Sequence, residues 1–201
     1  MATSDLLSVA AAETAAIERH LLGFFGAQAK ISPQAPLSEG PLRSRAPFFT
    51  AYEVAPTPSR PLWTYVSAGS LSEAMTGETH NVEFVIASET QDPRMVQHLA
   101  ENSHYHCGPS SQRLDLGHRL PIGEPWVPGA TVDAVLVSLP FPYGEDLEYV
   151  EWNGRHTRVL WLMPITQSEL DFARREGNER LEELFETYHV EFMDFSRPPV
   201  V

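Results

Sequence analysis

The chain has 201 residues, of which 42% are hydrophobic and 10% aromatic, enough apolar side chain for a folded core and too many for a disordered, collagenous or coiled-coil protein. Twenty-seven acidic residues against fourteen basic ones leave a net charge of −13, which repels nucleic-acid backbones and anionic lipid surfaces, so neither is an expected partner. A protein partner steered by charge would be basic, and the acidity is uneven: residues 1–100 hold ten acidic and six basic side chains, residues 101–201 seventeen and eight.

Cys107 is the single cysteine, so no internal disulfide can form and a reducing cytoplasm is the expected compartment. Met1 to Ala12 carry Asp5 and no Lys or Arg, unlike the basic start of a signal peptide. No uninterrupted apolar run approaches the ~18 residues of a spanning helix.

In chain order, the polar cluster Thr3, Ser4, Asp5 can start a helix, and Leu6, Ala10, Ile17, Leu21, Phe24 and Phe25 then recur at helical spacing up to Gly26. Residues 1–14 are expected at the periphery. Residues 27–47, rich in Pro, Ser and Gly, read as a connection, because Pro33, Pro36, Pro41 and Pro47 each remove a backbone donor. Strands are expected over 48–54, 62–67 and 81–88, where aromatic and β-branched residues concentrate. Thr90 or Asp92 can cap a helix near 92–102, with Pro93 in its first turn. Residues 103–130 read as loop, and 131–139 as a strand. Asn153-Gly154 between two β-type runs, 148–152 and 155–163, is a hairpin signal. Thr166 and Glu169 form a capping box with Ile165 and Leu170 as its staple. Two helices are expected over 167–188, broken at Gly177-Asn178, the second with Leu181, Leu184, Phe185 and Tyr188 on one face and Glu182, Glu183 and Glu186 on the other.

Three strings in this order, Leu62 to Leu71 (LWTYVSAGSL), Val137 to Gly144 (VSLPFPYG) and Val159 to Leu170 (VLWLMPITQSEL), together with the helix Glu179 to Phe185 and the closing Arg197, Pro198, Pro199, resemble the suppressor-of-fused-like (SUFU) family over residues 15 to 201. The resemblance implies one α+β domain over 1–201, with a central mixed, largely antiparallel sheet packed by helices, and a non-enzymatic protein-binding role. Animal members clamp a transcription-factor segment with an additional C-terminal domain for which this chain is too short. Compact single-domain members are similar to bacterial proteins proposed to act as immunity proteins, which neutralise a toxin by binding it. Trp63, Tyr65, Trp161, Leu162 and Met163 in these strings are the large side chains of a core.

The string Pro140, Phe141, Pro142, Tyr143, Gly144 differs, since rings on a proline-fixed turn stand at the surface as readily as in the core. Glu145, Asp146, Glu148 and Glu151 follow it. Phe141 and Tyr143 beside those four carboxylates have the composition of a contact for a basic protein, aromatic anchors with an acidic rim. Two alternatives stay open. A metal-dependent hydrolase could use His104, His106 and His118, with His98 in reserve, if the segment around His104-Tyr105-His106-Cys107 were extended so that both histidines share a face. A peptide-binding module could add a strand to a sheet edge away from Pro140 and Pro142. No HExxH, paired CxxC, GxSxG, GxGxxG or Walker pattern occurs, and no cofactor or metal is expected.

Overall fold

In the computed structural model, which describes residues 2–26, 30–36, 40, 42–72, 75 and 77–201, runs of consecutive strands form a mixed, mostly antiparallel sheet and are separated by helices, in agreement with the expected α+β class. The order is α1 (Ala2–Phe25), β1 (Ile31–Gln34), α2 (Leu42–Arg45), β2 (Thr50–Val54), β3 (Trp63–Ala68), β4 (His80–Ser88), α3 (Arg94–His106), β5 (Arg119–Pro121), β6 (Ala134–Ser138), α4 (Glu145–Glu148), β7 (Tyr149–Trp152), β8 (Arg155–Ile165), α5 (Gln167–Glu176) and α6 (Asn178–Thr187). These divide into two compact units, one formed by residues up to Asp115 with Leu139–Trp161, the other by Leu116–Ser138 with Leu162–Val201.

In the first unit the strand order is β1-β2-β3-β4-β8, with β7 also on β8. The β1–β2, β2–β3, β3–β4 and β7–β8 pairs are antiparallel, whereas β4 and β8 run parallel from His80 opposite His156 to Val85 opposite Trp161. Every residue of β4 after His80 is buried, as a central strand demands. The hairpin closes as expected: Trp152 faces Arg155, and Asn153 and Gly154 both adopt positive φ (47° and 72°), the backbone of a two-residue primed turn.

Two expectations need correcting here. Residues 2–14 belong to a 24-residue helix in which Leu6, Ala10 and Glu13 are buried, because the buried stripe through Ile17 and Leu21 continues back toward the helix start; Met1 lies outside the described residues. The side chains of Thr3 and Ser4 lie outside the described residues. The 27–47 connection contains β1 and α2, and β1 tolerates Pro33 for a geometric reason. Ala55 donates to the Lys30 carbonyl and Ile31 pairs with Val54, so bonding toward β2 falls to residues 30, 32 and 34, and the missing N–H of Pro33 lies on the outer edge.

In the second unit β5 is antiparallel to β6, from Arg119 opposite Leu136 to Pro121 opposite Ala134. The capping box forms: the Thr166 hydroxyl accepts from the Glu169 N–H, and Glu169 Oε2 accepts from the Thr166 N–H at 2.8 Å. Gly177, at φ 94°, separates α5 from α6. Leu181 and Phe185 are buried, but Tyr188 caps α6 and is exposed, so the apolar stripe ends one turn earlier than its spacing implies. Glu169 also anchors the C-terminal segment. Arg197 grips it with two bonds, Nη1 to Oε1 at 2.7 Å and Nη2 to Oε2 at 2.8 Å, both residues buried, and the guanidinium lies 5.6 and 5.7 Å from the ring centroids of Phe185 and Phe192.

A buried pair of this kind is strongly destabilising when one partner is removed, because the other charge stays behind unpaired. Arg197→Ala is expected to cost about 3–5 kcal/mol in denaturant unfolding, comparable with Trp161→Ala, which empties a fully enclosed ring site; a loss below about 1 kcal/mol for Arg197→Ala would show that Glu169 finds other donors.

Candidate protein-docking surface

The turn after β6 is closed by two backbone bonds to the Pro140 carbonyl, from Tyr143 N–H at 2.8 Å and Gly144 N–H at 3.0 Å. Gly144 sits at φ 79°, a conformation that an L side chain strains to adopt. Phe141 at the tip is 66% exposed. Tyr143 turns the other way. Its ring edges meet Phe24 and Phe25 of α1 at centroid distances of 6.3 and 6.1 Å, and its hydroxyl shares a 2.8 Å hydrogen bond with Thr64 Oγ1 on β3. Burial pushes the phenol well above its ordinary range.

The acidic residues divide in the same manner. Glu145 and Asp146 on α4 are exposed, whereas Leu147 and Glu148 are buried. Glu148 Oε1 accepts from Arg158 Nε on β8 at 2.6 Å. Along β7 the period-two pattern puts Tyr149 and Glu151 outward and Val150 and Trp152 inward. Tyr149 is 53% exposed, with the Arg158 guanidinium 5.8 Å from its ring centroid. Of the six residues expected at a contact, Phe141, Glu145, Asp146 and Glu151 face solvent; Tyr143 and Glu148 hold the segment from beneath. Tyr149 went unrecognised, although the alternation of Tyr149, Val150, Glu151, Trp152 contains the signal.

The histidines do not have the extended arrangement that the metal-hydrolase alternative requires. His104 and His106 lie in the last turn of α3, where residues two apart point to different sides. His106 is buried, and its Nδ1 accepts the Leu114 N–H at 2.9 Å, so that nitrogen's lone pair is already engaged. Cys107 is buried, and its thiol is pushed far up by desolvation first and then by the carboxyls of Glu83 and Glu13, which disfavours a reactive thiolate. Among the described residues no group of three or more His, Cys, Asp and Glu side chains is placed to hold a metal ion.

Residues 48–198 match the family described as Suppressor of fused protein (SUFU). The chain is 23% identical over 209 residues to immunity protein YqcF of Bacillus subtilis (strain 168), covering 94% of this chain and 97% of that one. Among solved structures, a SUFU homolog from Neisseria gonorrhoeae FA 1090 shares 29% identity at a TM-score of 0.78, over 93% of this chain and 96% of the other. A chain of the Sufu–Fu complex shares the fold at a TM-score of 0.69 and 12% identity, over 94% of this chain and 92% of that one. Drosophila Suppressor of Fused does so at 0.67 and 14%, with 94% of this chain covering 51% of the insect protein.

The opposite orientations of neighbouring side chains separate surface from scaffold. Phe141→Ala is expected to change stability by less than about 0.5 kcal/mol, while Tyr143→Ala costs about 3 kcal/mol or more by emptying a packed aromatic site. Glu148→Lys, which sets a second cation against Arg158, is expected to be similarly damaging. Equal thermal midpoints for the Phe141 and Tyr143 variants would contradict this division.

Proposed function

Because the chain belongs to the suppressor of fused family, we propose that it is a non-catalytic protein-binding domain that acts as an immunity protein, neutralising a basic toxin domain by occluding it. The relative named as an immunity protein aligns over nearly the whole of both chains, and the Sufu–Fu complex is a protein–protein assembly built with this fold. The observation that carries the reading is the segment 141–151, where the exposed rings of Phe141 and Tyr149 are interleaved with the exposed carboxylates of Glu145, Asp146 and Glu151. On a chain of net charge −13, these acids raise the encounter rate with a cationic partner, and the rings exclude water at the centre of contact. The proposed setting is the cytoplasm.

Strand addition is less well supported. In the first unit the edge strand β1 has four residues and presents Pro33 without a donor on its open side. In the second unit β5 has three residues and ends in Pro121. Proline on a short edge strand discourages pairing with an incoming chain.

Co-expression with a candidate basic toxin domain, sought among the neighbouring genes, tests the proposal. The wild-type chain is expected to restore growth, and the triple variant Phe141→Ala, Glu145→Lys, Asp146→Lys to lose protection while keeping its unfolding midpoint. With purified proteins, the association rate should fall about tenfold or more from low to high salt. Undiminished protection by the triple variant, or a rate indifferent to salt, would overturn the docking assignment.

A further inference from the structure

Glu13 lies in the apolar stripe of α1, fully buried between Ala10 and Ile17. Its Oε1 accepts from Asn81 Nδ2 of β4 at 2.8 Å and from Thr157 Oγ1 of β8 at 2.6 Å, and Thr157 Oγ1 in turn accepts from Trp152 Nε1 of β7 at 2.9 Å. Its Oε2 is buried without a hydrogen-bond partner, as is Asn81 Oδ1. Two residues along β4, the fully buried Glu83 accepts from Ser67 Oγ at 2.5 Å, Ser70 Oγ at 2.6 Å and Ser70 N–H at 2.7 Å. Ser70 Oγ and Ser103 Oγ of α3 share a further hydrogen bond at 2.8 Å. All the donors these bonds supply are neutral. A carboxylate enclosed in this way is expensive to charge, and two of them repel.

The other end of α1 supports the docking segment. A His20 ring nitrogen lies 3.2 Å from the Leu147 carbonyl oxygen, and Phe24 and Phe25 pack against Tyr143. We propose that Glu13 and Glu83 form a proton-holding pair that locks α1 onto the sheet of the first unit, and that loss of the proton to water loosens α1 together with the turn that presents Phe141. The regulated site is the one proposed above, and only the consequence for binding rests on that reading.

The titratable and charged groups around the pair are Arg155 of β8, which acts on Glu13, and Cys107 after α3, itself influenced by Arg45 of α2 and by Arg113. His106 of α3 packs edge-on against Phe84, the neighbour of Glu83. Burial is the largest influence on both carboxyls. It raises Glu13 against the lowering by its hydrogen bonds and Arg155, and, with the charge of Glu13 added, pushes Glu83 up from 4.5 to about 8. A carboxyl raised in the folded state contributes stability that is complete below the unfolded value and declines as pH rises through the folded one. The window is therefore about 4.5 to 8.

Hydrogen exchange on the wild-type chain without any partner tests the coupling. After correction for intrinsic exchange, protection of α1 and of residues 141–149 is expected to fall in parallel, by up to about tenfold per pH unit between pH 5 and 8. The double variant Glu13→Gln, Glu83→Gln is expected to be flat. If it does not fold, Glu13→Gln alone keeps an acceptor for Asn81 and Thr157 and is expected to show a reduced slope. Wild-type protection independent of pH, a slope unchanged in the variant, or α1 loosening while 141–149 stays protected would each overturn the proposal. Failure here leaves the docking reading intact, and a Phe141 variant that still protects cells leaves this inference intact.

Discussion

Glu13 imposes a constraint that the rest of the first unit answers. An acidic side chain in the middle of an apolar helical stripe must be hydrogen-bonded, neutral or both. Asn81 and Thr157 supply donors from the two strands that run parallel to each other, β4 and β8, and Trp152 braces Thr157 from β7. One carboxyl thus joins a helix to three strands distant in sequence. Glu83, two residues beyond Asn81 on β4, repeats the arrangement toward β3 and α3 through Ser67, Ser70 and Ser103. The second unit uses the opposite solution: Glu169 is charge-paired with Arg197, and the pair ties the C-terminal segment to the start of α5.

Features written in adjacent residues were legible from the chain alone. The Asn153-Gly154 hairpin and the Thr166–Glu169 capping box depend on two and four consecutive residues, and both form in the expected register. The direction of a turn side chain depends instead on what lies beneath it. Phe141 and Tyr143 read alike, yet Tyr143 is drawn inward by Phe24, Phe25 and Thr64, residues 79 or more positions earlier. Glu148 is turned in by Arg158 in the same way. The end of α3, expected near residue 102 with loop from 103, lies at His106 instead, because the apolar period fades after Ala100 while the helix itself continues. Glu13 and Glu83 carried a visible signal, an acid on a buried helical stripe and another inside a continuous β run. Their meaning needed the long-range pairing of β4 with β8.

The buried and exposed acids have different physical roles, although they enter the net charge of −13 identically. Glu145, Asp146 and Glu151 remain in water, where charge is inexpensive and acts at long range on an approaching cation. Glu13, Glu83, Glu148 and Glu169 are enclosed and act as acceptors that position elements. The aromatic contacts of Tyr143 link the two, because α1, fixed by Glu13, supplies the surface on which the turn rests.

The most direct measurement is proton uptake on folding at pH 6.5, obtained from refolding enthalpies in two buffers of different ionisation enthalpy. If Glu83 keeps its proton in the folded chain, wild type takes up close to one proton more than Glu83→Gln. Equal uptake by the two proteins would mean that Glu83 is ionised in the core, and would contradict the account.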